Sequence, residues 1–202
     1  MSAYSQAVVS LTDGIQHVPD DGILSACTIA SLKEHVQFST PTMNTFKLGY
    51  TDPAIAAFLG RTNRTTRNYE NVIENVKRLH AAGISLLAGT DAVGSNIRWD
   101  HELLIVGGDI VLGIDIPFGR TLHNELSSLV NEVGLTTVEA LRAATIEPAK
   151  WHHLTDRGSI EVGKRADLFL LNSNPLVNIS NTLDIARVWA GGVAVVKVAT
   201  LA

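Results

Sequence analysis

A chain of 202 residues is long enough for one domain with a sizeable core, and its 46% hydrophobic and 18% charged content is that of a globular protein. The 16 basic and 20 acidic residues leave a net charge of -4 with no basic stripe, which argues against a nucleic-acid partner. No apolar run reaches the ~18 residues of a membrane span, the opening "MSAYSQAVVS" lacks the basic region of a signal peptide, and the single cysteine, Cys27, permits no internal disulfide, so a cytoplasmic location is expected.

The predicted elements alternate. "SAYSQAVVSL" (2–11) has a helical pattern, and "DGIQHV" (13–18) is a short strand candidate that runs into His17. "GILSACTIASLKEH" (22–35) suits a helix with Leu24, Thr28, Leu32 and His35 along one side; Cys27, among apolar neighbours, is expected to be buried. "VQFSTPTM" (36–43) begins as a strand and breaks at Pro41. Residues 44–64 read as a long polar loop. "TTRNYENVIENVKRLHAAG" (65–83) is a strong helix: Val72, Val76 and Leu79 share a face, and Gly83 supplies the stop. "ISLLAGT" (84–90) is the near-continuous apolar run of a parallel strand buried on both faces. Strand, helix, strand, helix, strand is a βαβ pattern and predicts an α/β fold.

A long stretch, 92–120, follows Asp91. "TLHNELSSLVNEVG" (121–134) is helical with Leu122, Leu126, Leu129 and Val130 inward, Thr136 and Glu139 have capping-box spacing, and Pro148 suits the first turn of another short helix. Beyond Asp156 the pattern turns to β: "ADLFLLN" (166–172) is a strand and "IARVWAGGVAVVKV" (185–198) a hairpin around Gly191-Gly192. Two units are expected, an α/β part over 1–155 and a β-rich part over 156–202.

Two residues stand where parallel α/β folds keep their chemistry, at the C-terminal ends of strands. Asp91 ends the buried run "ISLLAGT", and His17 ends its own short strand. An N-cap or turn role is equally open for Asp91, and a structural role is the commoner use of a lone histidine. The remaining motifs are weak. H-E-x-x-H, a P-loop, a dinucleotide fingerprint and a G-x-S-x-G elbow are all absent, and His152-His153 point to different sides of a helix. His123 suits a helix surface, and Asn44 and Lys47 receive no assignment.

"GTDA", "PFGRTLHNELSSLVNEVGLTTVEALRAATIEPAKWHHL" and "DRGSIEVGKRADLFLLNSNPL", taken together, resemble the C-terminal half of metal-dependent amidohydrolases, in the branch of imidazolonepropionase-like and Xaa-Pro-dipeptidase-like enzymes. "DGIQHVPDDG" and "STPTM" look like the same family's sixth and seventh barrel strands. The resemblance implies about three strand–helix units of a (β/α)8 TIM-type barrel, followed by a small β-rich tail that belongs to the family's β-sandwich. It implies hydrolysis of a carbon–nitrogen bond in a small amide, cyclic amide or dipeptide, with zinc or another divalent metal as cofactor. His17 matches the sixth-strand metal histidine. Asp91 matches the eighth-strand aspartate, which touches metal and accepts the proton of the attacking water. Zinc suits that chemistry because it lowers the pKa of bound water towards ~7, and a carboxylate beside it then moves the proton.

The sequence also departs from the family's pattern. It contains no H-x-H pair, and the family's bridging fourth-strand ligand and fifth-strand histidine have no counterpart. A complete barrel takes ~250 residues, so the expectation is a truncated, C-terminal portion that binds metal poorly by itself. The alternative is an inactive remnant or split half that associates with a complementing chain or with copies of itself. "IRWDHELLIVGGDIVLGID" (97–115) is an additional stretch, either a substrate cover or sequence foreign to the fold.

Overall fold

The computed structural model describes residues 2–58, 66–97, 104–106, 109–111 and 114–195. Helix α1 (Ser2–Val9) buries Tyr4 and Val8. It leads to β1 (Gly14–Gln16), and α2 (Ala26–Glu34) follows. That helix starts later than its apolar pattern because the Ser25 side chain accepts the Thr28 N–H at 3.1 Å and caps it. Cys27 is exposed, contrary to the sequence expectation, because the helix turns Leu32 inward and leaves the Cys27 side facing solvent.

Strand β2 (Phe38–Thr40) lies parallel to β1, with Ile15 opposite Ser39 and Gln16 opposite Thr40. Residues 84–88 flank β2 on its other side. Ser39 donates its N–H to Ser85 O and accepts the Leu87 N–H, each at 2.9 Å, which forms a parallel bridge with Leu86. The expected third strand is therefore present as an extended segment with a single bridge. The chain reaches it by a parallel crossover.

The polar loop expected over 44–64 is, over its described part, two helices, α3 (Met43–Thr51) and α4 (Pro53–Phe58). Met43 and Phe46 are buried, and Asp52 accepts the N–H groups of Ala54 and Ile55 at 2.9 and 3.1 Å, which starts α4. The polar reading failed because Asn44 and Thr45 are themselves buried. Residues 59–65 of that expected loop lie outside the described residues. Helix α5 (Tyr69–Ala81) follows its sequence pattern, with Asn68 as cap and Val72, Val76 and Leu79 fully buried.

Of the additional stretch 97–115, residues 98–103, 107–108 and 112–113 lie outside the described residues, and the described ones are in short strands. β3 (Gly94–Ile97), β4 (Leu104–Val106), β5 (Asp109–Val111) and β6 (Ile114–Ile116) pair antiparallel, β4 with β5 and β3 with β6. Helix α6 (Arg120–Ser128) continues through a π-helical turn, Leu129–Val133, and α7 (Thr137–Ala143) begins at the complete Thr136/Glu139 capping box. Helix α8 (Ile146–Trp151) carries Pro148 in its first turn. Leu126 and Leu129 point inward as expected, while Leu122 and Val130 are only partly buried and Val133 joins the core.

The last sheet is antiparallel, in the order β7 (Leu168–Leu171), β8 (Ile185–Ala190), β9 (Val193–Ala194). The turn before β9 uses Gly191 and Gly192 at φ 58° and 81°, the left-handed pair that a two-residue hairpin loop requires. The main core gathers Val8, Leu32, Val72, Val76, Leu79 and Leu129 from α1, α2, α5 and the π-helical turn after α6 around the parallel strands.

Candidate functional site at the parallel strand ends

β1, β2 and residues 84–88 run parallel, so their C-terminal ends emerge on one edge. Each end is marked by a residue other than glycine in the left-handed region: His17 (φ 63°), Thr42 (φ 53°) and Asp91 (φ 52°). Such residues cost free energy that the surroundings must offset, and they concentrate at functional sites. Here the offsets are visible. His17 donates its N–H to Thr40 O at 2.8 Å, its Nδ1 lies 2.7 Å from Thr42 Oγ1, and its ring meets Phe46 edge-on at 6.0 Å. The loop after His17 is pinned by buried Asn75, whose Nδ2 donates to Pro19 O and Gly22 O at 2.8 Å while its Oδ1 accepts the Leu24 N–H at 2.7 Å.

Asp91 is positioned from α3 as well. Thr45 Oγ1 donates to Thr90 O, and Thr90 Oγ1 accepts the Ala92 N–H at 3.2 Å. Gly89 lets the third strand approach β2: a Cβ there would lie 2.5 Å from Thr40 Cγ2. His17 and Asp91 are both exposed, and among the described residues the Asp91 carboxylate has no hydrogen-bond partner. Two strand spacings put their backbones roughly 10 Å apart.

Helix α3 links these ends, and a carboxylate from α6 holds its N-terminus. Glu125 is 0% exposed, and its two oxygens accept the N–H groups of Met43 (2.9 Å) and Asn44 (2.6 Å). Burial pushes the Glu125 carboxyl up to about 7, against the two N–H bonds, which favour the ionised form. Glu132, seven residues further on, adds a like charge; it also accepts from Tyr69 Oη and pairs with Lys47. Thr42, Thr45 and Glu125 were not among the residues singled out from sequence. The available signal was Glu125 itself, a carboxylate on the same stripe as Leu126 and Leu129 (i+1 and i+4).

Other candidates resolve plainly. His123 is half-buried, its Nδ1 lies 2.9 Å from Thr182 Oγ1, and burial lowers its pKa. Asn44 is buried in the first turn of α3, and Lys47 is engaged by Glu132.

A zinc centre takes three or four protein donors. The strand ends offer an imidazole and a carboxylate, both suitable in kind, but no group of three or more His, Cys, Asp or Glu residues able to hold a metal occurs among the described residues. The described donors alone therefore do not make up a metal centre.

Polar groups at the C-terminal mouth of parallel strands stand where α/β folds place their active and ligand sites. The model of the amidohydrolase family matches residues 12–195, and the chain belongs to that family. It is 32% identical over 138 residues to the imidazolonepropionase of Deinococcus radiodurans, which covers 59% of this chain and 35% of that protein. It is 29% identical over 112 residues to the adenine deaminase of Ligilactobacillus salivarius, over 51% of this chain and 19% of that one. The solved structure of a Xaa-Pro dipeptidase with bound methionine in its active site shares the fold, at a TM-score of 0.70 and 21% identity over 96% of this chain and 42% of that one. The alignments to imidazolonepropionases cover about a third of those proteins' length, 35% and 36%.

Proposed function

We propose that this chain carries the sixth- to eighth-strand part of a metal-dependent hydrolase of carbon–nitrogen bonds, acting on a small amide, cyclic amide or dipeptide. Residues 1–155 form the barrel portion in this reading, and 156–202 belong to the family's β-sandwich. The observation that carries it is the emergence of exposed His17 and Asp91 on one edge of the parallel strands, each at a left-handed strand end within a family match over 12–195. His17 is a metal donor. Asp91 is the proton acceptor: its carboxylate takes a proton from the attacking water and passes it to the leaving nitrogen, and it would also help hold the metal. The described donors fall short of a complete zinc set, so the 202-residue chain by itself turns over slowly.

The test is hydrolysis of an Xaa-Pro dipeptide, an N-acyl amide and a lactam by the purified chain with added zinc. Low turnover that falls at least ~10²-fold in Asp91→Asn supports the assignment. Turnover indifferent to Asp91 refutes it.

A second reading is a non-catalytic half that works by association. It is favoured by the apolar residues β7 and β8 leave at the surface, among them Phe169, Leu170 and Ile185. Size-exclusion chromatography separates the readings. A stable monomer at micromolar concentration counts against association.

A further inference from the structure

Hydrogen-bond geometry around Thr42 determines more about His17 than its position. A threonine hydroxyl has one proton to donate and two lone pairs to accept with. Thr42 Oγ1 lies 2.7 Å from Pro41 O and 2.7 Å from His17 Nδ1. A carbonyl oxygen only accepts, so the hydroxyl proton goes to Pro41 O. The hydroxyl then meets His17 with a lone pair, and the imidazole must supply the hydrogen from Nδ1. We infer that Thr42 is a positioning residue that holds neutral His17 in the Nδ1–H tautomer, with the Nε2 lone pair left for a ligand, and that Glu125 holds Thr42 in place for this role.

The opposite tautomer requires the hydroxyl to turn towards Nδ1, which removes the donor from Pro41 O at a buried position. Thr42 is 3% exposed and sits in a left-handed turn directly before α3, so its hydroxyl has little freedom to rearrange. Glu125 fixes that turn from a distance of 82 residues in the chain, by accepting the N–H of Met43, the residue after Thr42, and that of Asn44. The Phe46 ring, one turn along α3, limits rotation of the imidazole. A histidine ring held at one nitrogen presents the other in a fixed direction, as in many metal sites where a partner orients the ligand.

The consequence for metal binding rests on the reading of His17 as a donor, but the tautomer does not. The experiment is therefore done on the metal-free, ¹⁵N-labelled 202-residue chain at about pH 8, above the ordinary histidine range. The ring-nitrogen resonances of His17 are assigned as those missing from His17→Gln. Wild type and Thr42→Ser, which both keep the hydroxyl, are expected to show protonated Nδ1 and unprotonated Nε2. Thr42→Val is expected to reverse the majority to Nε2–H, and Glu125→Gln to move part of the way. An Nε2–H ring in wild type or Thr42→Ser overturns the inference, even if Thr42→Val does not fold. An unchanged ring in folded Thr42→Val overturns it as well, and an unchanged ring in Glu125→Gln removes Glu125 from it. Failure of the hydrolase assay leaves this result intact, and the reverse tautomer leaves the hydrolase reading intact.

Discussion

At the mouth of the parallel strands, residues 37–46 are buried without a break, polar and apolar alike. In the β7–β8–β9 sheet, Phe169, Leu170 and Val193 are 48%, 55% and 71% exposed. The first region is fixed by contacts from distant parts of the chain: Glu125 of α6 at the start of α3, Asn75 under the loop after His17, and Ala143 O accepting the Ala88 N–H at 2.8 Å. The second has a regular hydrogen-bond ladder and a well-formed glycine hairpin, yet side chains on both of its faces reach solvent. A ladder satisfies the backbone, but burial of apolar side chains supplies most of the stability. The comparison therefore places the stability of the described fold around the strand mouth and leaves the C-terminal sheet as a lightly supported attachment.

Substitutions test that contrast. The largest effect is expected from Leu79→Ala, which removes a side chain at 0% exposure from the core beneath the mouth and should cost about 2–5 kcal/mol in urea unfolding. A loss under about 1 kcal/mol would contradict the placement of the core.

Next comes the pH dependence set by Glu125. Its carboxyl is raised in the folded state from 4.5 to about 7, so the folded state holds this proton where the unfolded chain has released it. Its contribution to stability is complete below pH 4.5 and is lost as pH rises through about 7, a swing on the order of 3 kcal/mol. Glu125→Gln should flatten the stability profile across that window, and urea midpoints measured at several pH values check it. A wild-type stability that rises across the window through this residue would refute the assignment.

The smallest effect is expected in the C-terminal sheet. Leu170→Ser should change stability by no more than about 0.5 kcal/mol in urea unfolding. A loss comparable with that of Leu79→Ala would show that the tail sheet shares the core after all.

The same contrast explains what was legible in the sequence. α5, the Thr136/Glu139 capping box and the Gly191–Gly192 hairpin all follow from signals contained within a few residues, and the structure reproduces each. Asp91 is legible as a strand end because the apolar run 84–88 precedes it, and His17 because a short strand candidate meets a turn there. Helices α3 and α4 are not. Their start depends on a left-handed Thr42 and on a carboxylate 82 residues away, and their buried face includes Asn44 and Thr45. Cys27 was misplaced for a related reason: apolar neighbours in sequence do not say which side of a short helix faces the core. The scaffolding of the candidate site lies almost wholly in such long-range contacts, so Thr42, Thr45 and Glu125 emerge only from the fold.

In the proposed reading, His17 and Asp91 are two donors of one metal site that the described residues do not complete. Calorimetric titration of the purified chain with zinc, in wild type, His17→Gln and Asp91→Asn, tests it directly. The expected result is weak binding at one site that either substitution abolishes. Tight, stoichiometric zinc in the wild-type chain, or binding that ignores both substitutions, would contradict it.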